Sequence, residues 1–419
     1  MTLYQQLCNK NLLKRCWESI YNSKPDQRRK SKDITGISLN DFKRKESELL
    51  EEIFLLLKSN SYKVDSCKGC IIPKSGKDEY RLLTVPSVRD RIVHKAILSL
   101  IVPKVFKYIN TGISYCGVRD SIWYKKKNGL SLRNAIQKLI EKVREGNYCV
   151  FETDIESFFD SVSKAKLKEK IGKILPDNSL MPLIEQVIHY EIGNRKIFIR
   201  KEAKKISPPN IEEGIAQGSH LSPLFSNIFL RDFDEKMKNK YKDKIIRYVD
   251  DFIVLGNHEE VTQAAKDAKE LLSSEGLNLK QRKTHIFYLS STIKFLGLRI
   301  NNKEITTKQG IKAILKKLRL ETLNFKNYKE ETRFKVLKKD GLEIKIKEKI
   351  KIIDQINEEI TGWANFYKYY HVNEIFKEVE NFFSSLRKKN KYKNLVSLNK
   401  IKLEPIISKR EWANLFMLH

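Results

Sequence analysis

The twelve residues IIRYVDDFIVLG, Ile245 to Gly256, set two adjacent aspartates inside an apolar run. Ile245, Ile246, Val249, Phe252, Ile253, Val254 and Leu255 are what a buried β-hairpin needs. Asp250 and Asp251 are not. Two like charges taken out of water must bind protons or share a cation. A third carboxylate fits the same pattern, because NYCVFETDIESFFDSV begins as a buried strand and leaves it near Asp154 or Ile155. Three carboxylates with no cysteine or histidine offered beside them form a hard, all-oxygen donor set that suits Mg²⁺. Two such ions clamp an in-line phosphoryl transfer, one lowering the pKa of the attacking hydroxyl and the other holding the triphosphate. An isolated Asp-Asp pair is ordinarily a solvated turn. The flanking β-branched run, together with Asp154, argues against that here.

Composition sets the partner. The chain has 419 residues, 41% of them hydrophobic, so it is globular and long enough for two or three domains. Its formal net charge is +30, which calls for a polyanion. The charge is unevenly spread. Lys and Arg outnumber Asp and Glu by 30 to 15 over residues 1–150 and by 27 to 15 over residues 301–419, but only by 25 to 22 between them. Basic flanks that grip phosphate around a nearly neutral, acid-using centre account for this better than lysine-decorated solvent faces alone. The six cysteines are Cys8, Cys16, Cys67, Cys70, Cys116 and Cys149, and MTLYQQLCNK has no apolar signal core. A cytoplasmic protein with reduced thiols is expected. The pair in CKGC, Cys67 and Cys70, has no second pair or nearby histidine and is not read as a zinc site. The runs IFLLL and AILSLIV are too short to span a bilayer, so no membrane is expected.

Along the chain, residues 1–70 read as helical, clearest in ESELLEEIFLLLKSNSY (Glu46–Tyr62), with SKPDQRRKSKD as a basic loop. IIPKSGKDEYRLLTVP reads as a hairpin around Ser-Gly-Lys-Asp, and Arg89 to Phe106 as a helix. GIAQGSHLSPLFSNIFLRDFDEKM starts as a loop and becomes helical after Pro223, with Ser222 as its cap. TQAAKDAKELLSSEG is a helix closed by Gly276, IKFLGLRI a short strand, and the region from Gln309 helical and Lys-rich.

Asp154 in FETDIESFFDSV, Gln217-Gly218 in AQGSHLSPLFSNIFL, YVDD at Tyr248–Asp251, Lys283 in GLNLKQRKT and FLG at Phe295–Gly297 stand in the order and spacing of reverse transcriptase palm motifs. YRLLTVPSVRDRIVHKAI resembles the fingers motif of the bacterial, group II intron-like branch, and GWANFYKYY resembles the thumb segment of group II intron maturases. The likeness covers roughly residues 70–300. It implies an α+β right-hand polymerase with fingers, a palm built on an antiparallel sheet and a helical thumb, plus a helical N-terminal extension. The extension would be residues 1–70. Fingers would occupy mainly 71–150 and 163–212, palm mainly 148–162 and 213–300, and a basic, maturase-like thumb 301–419.

The same resemblance assigns roles. Asp154, Asp250 and Asp251 would be catalytic, holding two Mg²⁺ ions (Mn²⁺ a substitute), with the backbone carbonyl of Ile155 completing a metal shell. Lys77 and Arg81 would close on the dNTP phosphates, with Lys74 competing for the place of Lys77. Phe159 would lie against the sugar and leave no room for a 2′-hydroxyl, with Phe158 as the rival ring. Gln217 and Gly218 would approach the nascent base pair, and Gly218 would permit that approach. Lys283 would protonate or neutralise the pyrophosphate, or contact phosphate at the surface. Tyr248, Phe295, Leu296 and Gly297 would support primer and template.

No zinc-stabilised endonuclease of the intron type is expected, since all six cysteines precede residue 150, and no RNase H domain, since no room is left for one after a thumb. The intact QGSHLSP loop differs from diversity-generating enzymes, and the thumb lacks the Val-Thr-Gly of retron enzymes. Size and the basic lead-in resemble the stand-alone, defence-associated enzymes, including those that abort phage infection. The expected partners are dNTPs, the cDNA product and an RNA template, a structured noncoding RNA in an anti-phage system. Two other functions stay open at this stage: a template-independent or protein-primed DNA polymerase, and a maturase-like RNA-binding splicing cofactor. A P-loop is not among them, because SGK at Ser75–Lys77 is preceded by Ile71 where that motif needs glycine.

Overall fold

The computed structural model of the 419-residue chain describes residues 1–24, 26–73, 80–116, 130–199, 206, 208–289, 291, 292, 295, 296, 298–301, 305–307, 357, 360, 361, 364, 373–388 and 397–400. It divides into two compact units, Met1–Phe287 and Tyr288–His419.

The first unit opens with five helices: α1 (Leu3–Leu7), α2 (Lys10–Asn22), α3 (Asp26–Arg29), α4 (Leu39–Arg44) and α5 (Glu46–Lys58). Thr2 and Gln5 close a capping box on α1, and Ser38 and Asp41 close another on α4. In α2 the apolar residues Leu12, Leu13, Cys16, Trp17 and Ile20 recur every three or four positions and are buried. The basic stretch Ser23–Asp33, expected as a loop, contains the single helical turn α3. Asp33 ends it: its carboxylate accepts from the amides of Thr35, Ile37 and, at 2.6 Å, Val88. That last bond ties the lead-in to α6 (Val88–Ile109).

Before α6 stands the antiparallel hairpin of β1 (Lys68–Pro73) and β2 (Tyr80–Val85), running from Lys68↔Val85 to Pro73↔Tyr80. Its Ser-Gly-Lys-Asp turn, with Lys74 and Lys77, lies outside the described residues. Cys67 packs with Ile192 and Ile197, and burial pushes its thiol up to about 12, with Asp90 and Asp65 adding to the effect.

After α7 (Leu132–Arg144) comes the central sheet, formed by β3 (Cys149–Asp154), β4 (Ile245–Tyr248), β5 (Asp251–Gly256) and β6 (His285–Tyr288) in the order β4-β5-β3-β6. Between β3 and β4 the chain forms α8 (Phe158–Ser161), α9 (Lys164–Ile174), α10 (Met181–Ile188), α11 (Ser222–Phe229) and α12 (Arg231–Tyr241). α13 (His258–Ser274) follows β5, opened by an Asn257/Glu260 capping box and followed by Gly276 at φ +83°. Val150, Phe151, Phe252, Ile253, Val254 and Leu255 are fully buried, which accounts for the unbroken apolar runs. One core runs from Leu3 and Trp17 through Ile92 and Ile97 to Phe151, Phe252 and Leu272.

Two sequence expectations change here. Ser222 is the first residue of α11 rather than its cap, and its hydroxyl instead donates to the Ala216 carbonyl at 2.6 Å. The helix expected to continue through SPLFSNIFLRDFDEKM is broken at Leu230 into α11 and α12.

The second unit contains the hairpin of β7 (Leu298–Ile300) and β8 (Ile305–Thr307) and the helix Asn373–Arg387. Of the expected strand IKFLGLRI, β7 takes only the last three residues. Leu296 sits at φ +50° and the Leu298 amide donates to the Phe295 carbonyl, so the chain turns there. Glu380 accepts from the Leu398 amide at 2.6 Å and pairs with Arg387. Trp363, Phe366, Tyr367, Tyr369 and Tyr370 fall outside the described residues. Among the described residues no helix is long and apolar enough to cross a membrane.

Candidate active site

The sheet register brings the three aspartates together. Asp154 ends β3 directly opposite Asp251, the first residue of β5. Val249 and Asp250 form the turn between β4 and β5, and Tyr248 is also paired with Asp251. Across the turn the Ile155 amide donates to the Asp250 carbonyl at 3.1 Å. β3 and the β4–β5 hairpin thus deliver Asp154 and Asp250, 96 residues apart in the chain (250 − 154), to one end of the sheet.

The electrostatics are those of a cation site. The Asp154 side chain is only 7% exposed, whereas that of Asp251 is 41% exposed. Burial, then the charges of Asp154 and Asp251, push the Asp250 carboxyl up to about 8. One Asp154 oxygen, Oδ2, accepts from the Lys283 ammonium, and Lys280 Nζ stands 3.8 Å from it. The other oxygen, Oδ1, is buried with no hydrogen-bond partner. An orphaned carboxylate oxygen is costly without a ligand, so this donor set fits a hard divalent ion. Asp154, Asp250, Asp251 and the Ile155 carbonyl are the oxygens that would hold it. Among the described residues, the acidic group whose oxygens all lie within 4.8 Å of one another is Glu141, Glu145 and Asp243, not the three aspartates. There, however, Lys138 and Lys142 each reach Asp243 at 2.6 Å and neutralise it.

Lys283 arrives because residues 278–284 run beside the end of β3. The Glu156 amide donates to the Asn278 backbone carbonyl, the Lys280 amide to the Asp154 backbone carbonyl, and the hydroxyls of Thr153 and Thr284 meet at 2.8 Å. Burial disfavours the Lys283 ammonium, but Asp154, with Asp251 and Asp250, outweighs it and raises its pKa. Lys280 was not singled out in the sequence. Its position three residues before Lys283, one helical turn away, was the available signal.

The Gln217-Gly218 loop packs on the hairpin β1–β2. The Thr84 amide donates to the Gln217 carbonyl at 3.0 Å, and a Cβ on Gly218, at φ +148°, would stand 2.0 Å from the Thr84 carbonyl oxygen. Glycine is thus required by a backbone approach. The loop is also held from behind, where Ser219 Oγ meets Nδ1 of the buried His94 at 3.2 Å. Burial, with His220 nearby, lowers the His94 pKa to about 3, so the ring is neutral. Arg81 is exposed on β2, on the same strand face as Leu83, which lies near Gly218. Phe158 is 1% exposed and belongs to the core, whereas Phe159 is half-buried against it. The two rings meet edge to face. Tyr248 is half-buried beside the turn. Lys77 and Gly297 lie outside the described residues, and Phe295 and Leu296 belong to the second unit.

Residues 72–300 match the family model "Reverse transcriptase (RNA-dependent DNA polymerase)" and residues 345–401 match "Group II intron, maturase-specific domain". The first match covers more than half of the chain, which therefore belongs to the reverse transcriptase family, the RNA-directed DNA polymerases of right-hand α+β fold. Protein YkfC of Escherichia coli is 26% identical over 282 residues, 59% of this chain and 70% of YkfC. The uncharacterized 91 kDa protein in the cob intron of Schizosaccharomyces pombe is 25% identical over 48% of this chain and 23% of its own length. Among solved structures, a chain of the partial Cas6-RT-Cas1--Cas2 complex is similar at 24% identity and TM-score 0.36, covering 66% of this chain and 43% of that one. Apo telomerase from Candida tropicalis is similar at 14% identity and TM-score 0.41, covering 58% and 48%. This chain thus spans less than half of those solved chains and about a quarter of the yeast intron protein.

Proposed function

We propose that this protein copies RNA into cDNA from dNTPs, with two Mg²⁺ ions held by Asp154, Asp250 and Asp251. The observation that carries the reading is the convergence of Asp154, Asp250 and Asp251 at one end of the sheet, where burial and the two neighbouring charges push the Asp250 carboxyl up to about 8. What the metal pair supplies when bound is a lowered pKa at the primer hydroxyl and neutralised charge on the triphosphate. The protein's own groups do the rest. Lys283 holds its ammonium at the carboxylates, where a pyrophosphate leaving group needs a cation or a proton. The backbone of Gln217 and Gly218 lies against the nascent pair, and the Phe159 ring occupies the space of a ribose 2′-hydroxyl. Arg81 and Lys77 receive the phosphates. Tyr248, with Phe295, Leu296 and Gly297, supports the primer.

In this reading the fingers are mainly 71–150 and 163–212, the palm mainly 148–162 and 213–300, and the thumb 301–419. The match of residues 345–401 to the maturase-specific domain supports RNA contact by that region. With the basic flanks it favours a structured RNA as template; that this is a dedicated noncoding RNA, copied in the cytoplasm in defence against phage, rests on the resemblance to the stand-alone defence-associated enzymes.

The test is the variant Asp250→Ala with Asp251→Ala, assayed for Mg²⁺-dependent dNTP incorporation on the RNA that co-purifies with the protein. Synthesis should vanish while RNA binding survives, and retained synthesis would refute the assignment. Sequencing the product separates templated synthesis from a template-independent or protein-primed polymerase. A parent protein that binds RNA but never incorporates dNTPs would instead be a maturase-like cofactor.

A further inference from the structure

We propose that Arg247 is a positioning residue that sets the Val249-Asp250 turn, and with it the metal-binding geometry, through a buried polar network under the sheet. The inference rests on the preceding reading of the aspartates. It concerns a residue that touches neither substrate nor metal.

Arg247 is the third residue of β4 and its side chain is 0% exposed. A guanidinium stays charged, so complete burial is tolerable only if its donors are matched. They are matched by a fork. Nε and Nη2 donate to the two oxygens of Asp234 in α12 at 2.6 and 2.5 Å, and Nη2 also reaches Asn227 Oδ1 in α11 at 3.2 Å. The remaining nitrogen, Nη1, donates to the Val249 carbonyl at 2.8 Å. Each acceptor is itself fixed. Asp234, fully buried, accepts from Thr111, and Asn227 accepts from Ser114 and donates to the Cys116 carbonyl. The Arg247 backbone is clamped as well, between the Ile113 carbonyl and the Tyr115 amide at 2.8 and 2.9 Å.

The recipient of the fourth bond gives the network its point. Val249 sits at φ +62°, a conformation a β-branched residue holds only when its surroundings impose it. Its carbonyl belongs to the peptide that enters Asp250. Arg247 thus grips the strained peptide at the catalytic carboxylate, from the face of the sheet opposite solvent. A salt bridge that served packing alone is replaceable by apolar side chains of similar volume. Such a replacement does not reproduce the hold on the Val249 carbonyl, and this separates the two roles.

The test compares the parent with Arg247→Met/Asp234→Leu, which removes both buried charges together. The readouts are thermal stability, RNA binding and the Mg²⁺ concentration for half-maximal dNTP incorporation. The variant should fold and bind RNA, but need at least threefold more Mg²⁺ and turn over at least tenfold more slowly. Val249→Gly, which tolerates the positive φ without a clamp, should reduce that Mg²⁺ shift when added to the double variant. If the double variant does not fold, Arg247→Lys replaces it, keeping the charge opposite Asp234 but not the fork. In whichever folded variant is used, a half-saturating Mg²⁺ within threefold of the parent overturns the proposal. A parent with no Mg²⁺-dependent synthesis would overturn the functional reading instead, so the two failures are distinguishable.

Discussion

Gly218→Ala tests how closely the Gln217-Gly218 loop is fitted to the hairpin β1–β2. Its new Cβ would stand 2.0 Å from the Thr84 carbonyl oxygen and 3.1 Å from the Thr84 carbonyl carbon. Ordinary contact begins at about 3.4 Å, so the loop or β2 must retreat by roughly 1.4 Å. Both partners are backbone, so no flexible side-chain end can yield instead. The retreat also weakens the bond from the Thr84 amide to the Gln217 carbonyl, worth about 1 kcal/mol. A misplacement of about 1 Å near reacting groups costs ~10²-fold in rate, or about 2.7 kcal/mol in transition-state stabilisation. We expect kcat/KM for dNTP incorporation on a primed RNA template to fall by about two orders of magnitude, with RNA affinity unchanged. Gly276→Ala is the control: it has φ +83° and nothing within 4 Å of an added Cβ. It should cost ~1 kcal/mol of stability and leave incorporation alone. If Gly218→Ala incorporates dNTPs within threefold of the parent at unchanged Tm, the close approach of loop and hairpin has no catalytic consequence and the reasoning fails.

Three further outcomes follow from the same geometry. Because Asp250 is raised from 3.8 to about 8, the metal-free protein should lose stability as pH rises from about 4 through 8, and added Mg²⁺ should reverse the loss. Asp250→Asn should remove that pH dependence and raise Tm at pH 8 while abolishing synthesis; an unchanged Tm profile would show that Asp250 is not held protonated. Phe159→Val should admit ribonucleotides in steady-state competition assays, and unchanged discrimination would move the sugar contact elsewhere. RNA affinity should fall ~10³-fold or more between 50 and 200 mM salt if six or more phosphates are neutralised, and a flat salt titration would remove the argument from the +30 charge.

The three aspartates of the candidate site were legible in the sequence because they violate their surroundings. Asp250 and Asp251 interrupt a run in which Ile245, Ile246, Phe252, Ile253, Val254 and Leu255 are buried, and Asp154 closes another, so no packing argument accounts for them. The hairpin β1–β2 and the strand before Asp154 were legible as apolar runs bounded by turn residues, and α6 from its apolar spacing, although Ile92 to Ser99 are buried without a break. Ser222 misled because Ser-Pro is a common way to open a helix, whereas here its hydroxyl had a nearer acceptor in Ala216. The strand expected over FLG failed at Leu296, whose positive φ local apolarity does not reveal.

By itself the sequence determined the family and the order of the motifs and singled out the three carboxylates, since each depends on residue type and local spacing. Tertiary structure decided which ring beside Asp154 is core, because successive residues of the turn α8 point about 100° apart and only the packing says which direction is inward. It decided that the glycine of the QG pair answers to a carbonyl on another element. It also decided that Arg247, which reads as one polar residue in a strand, is a buried fork joining Asp234, Asn227 and Val249. Those partners come from two helices and a turn, and a polar residue on a helix reads in sequence as solvated surface. Only the fold, by removing water from all of them at once, makes their hydrogen bonds to one another obligatory.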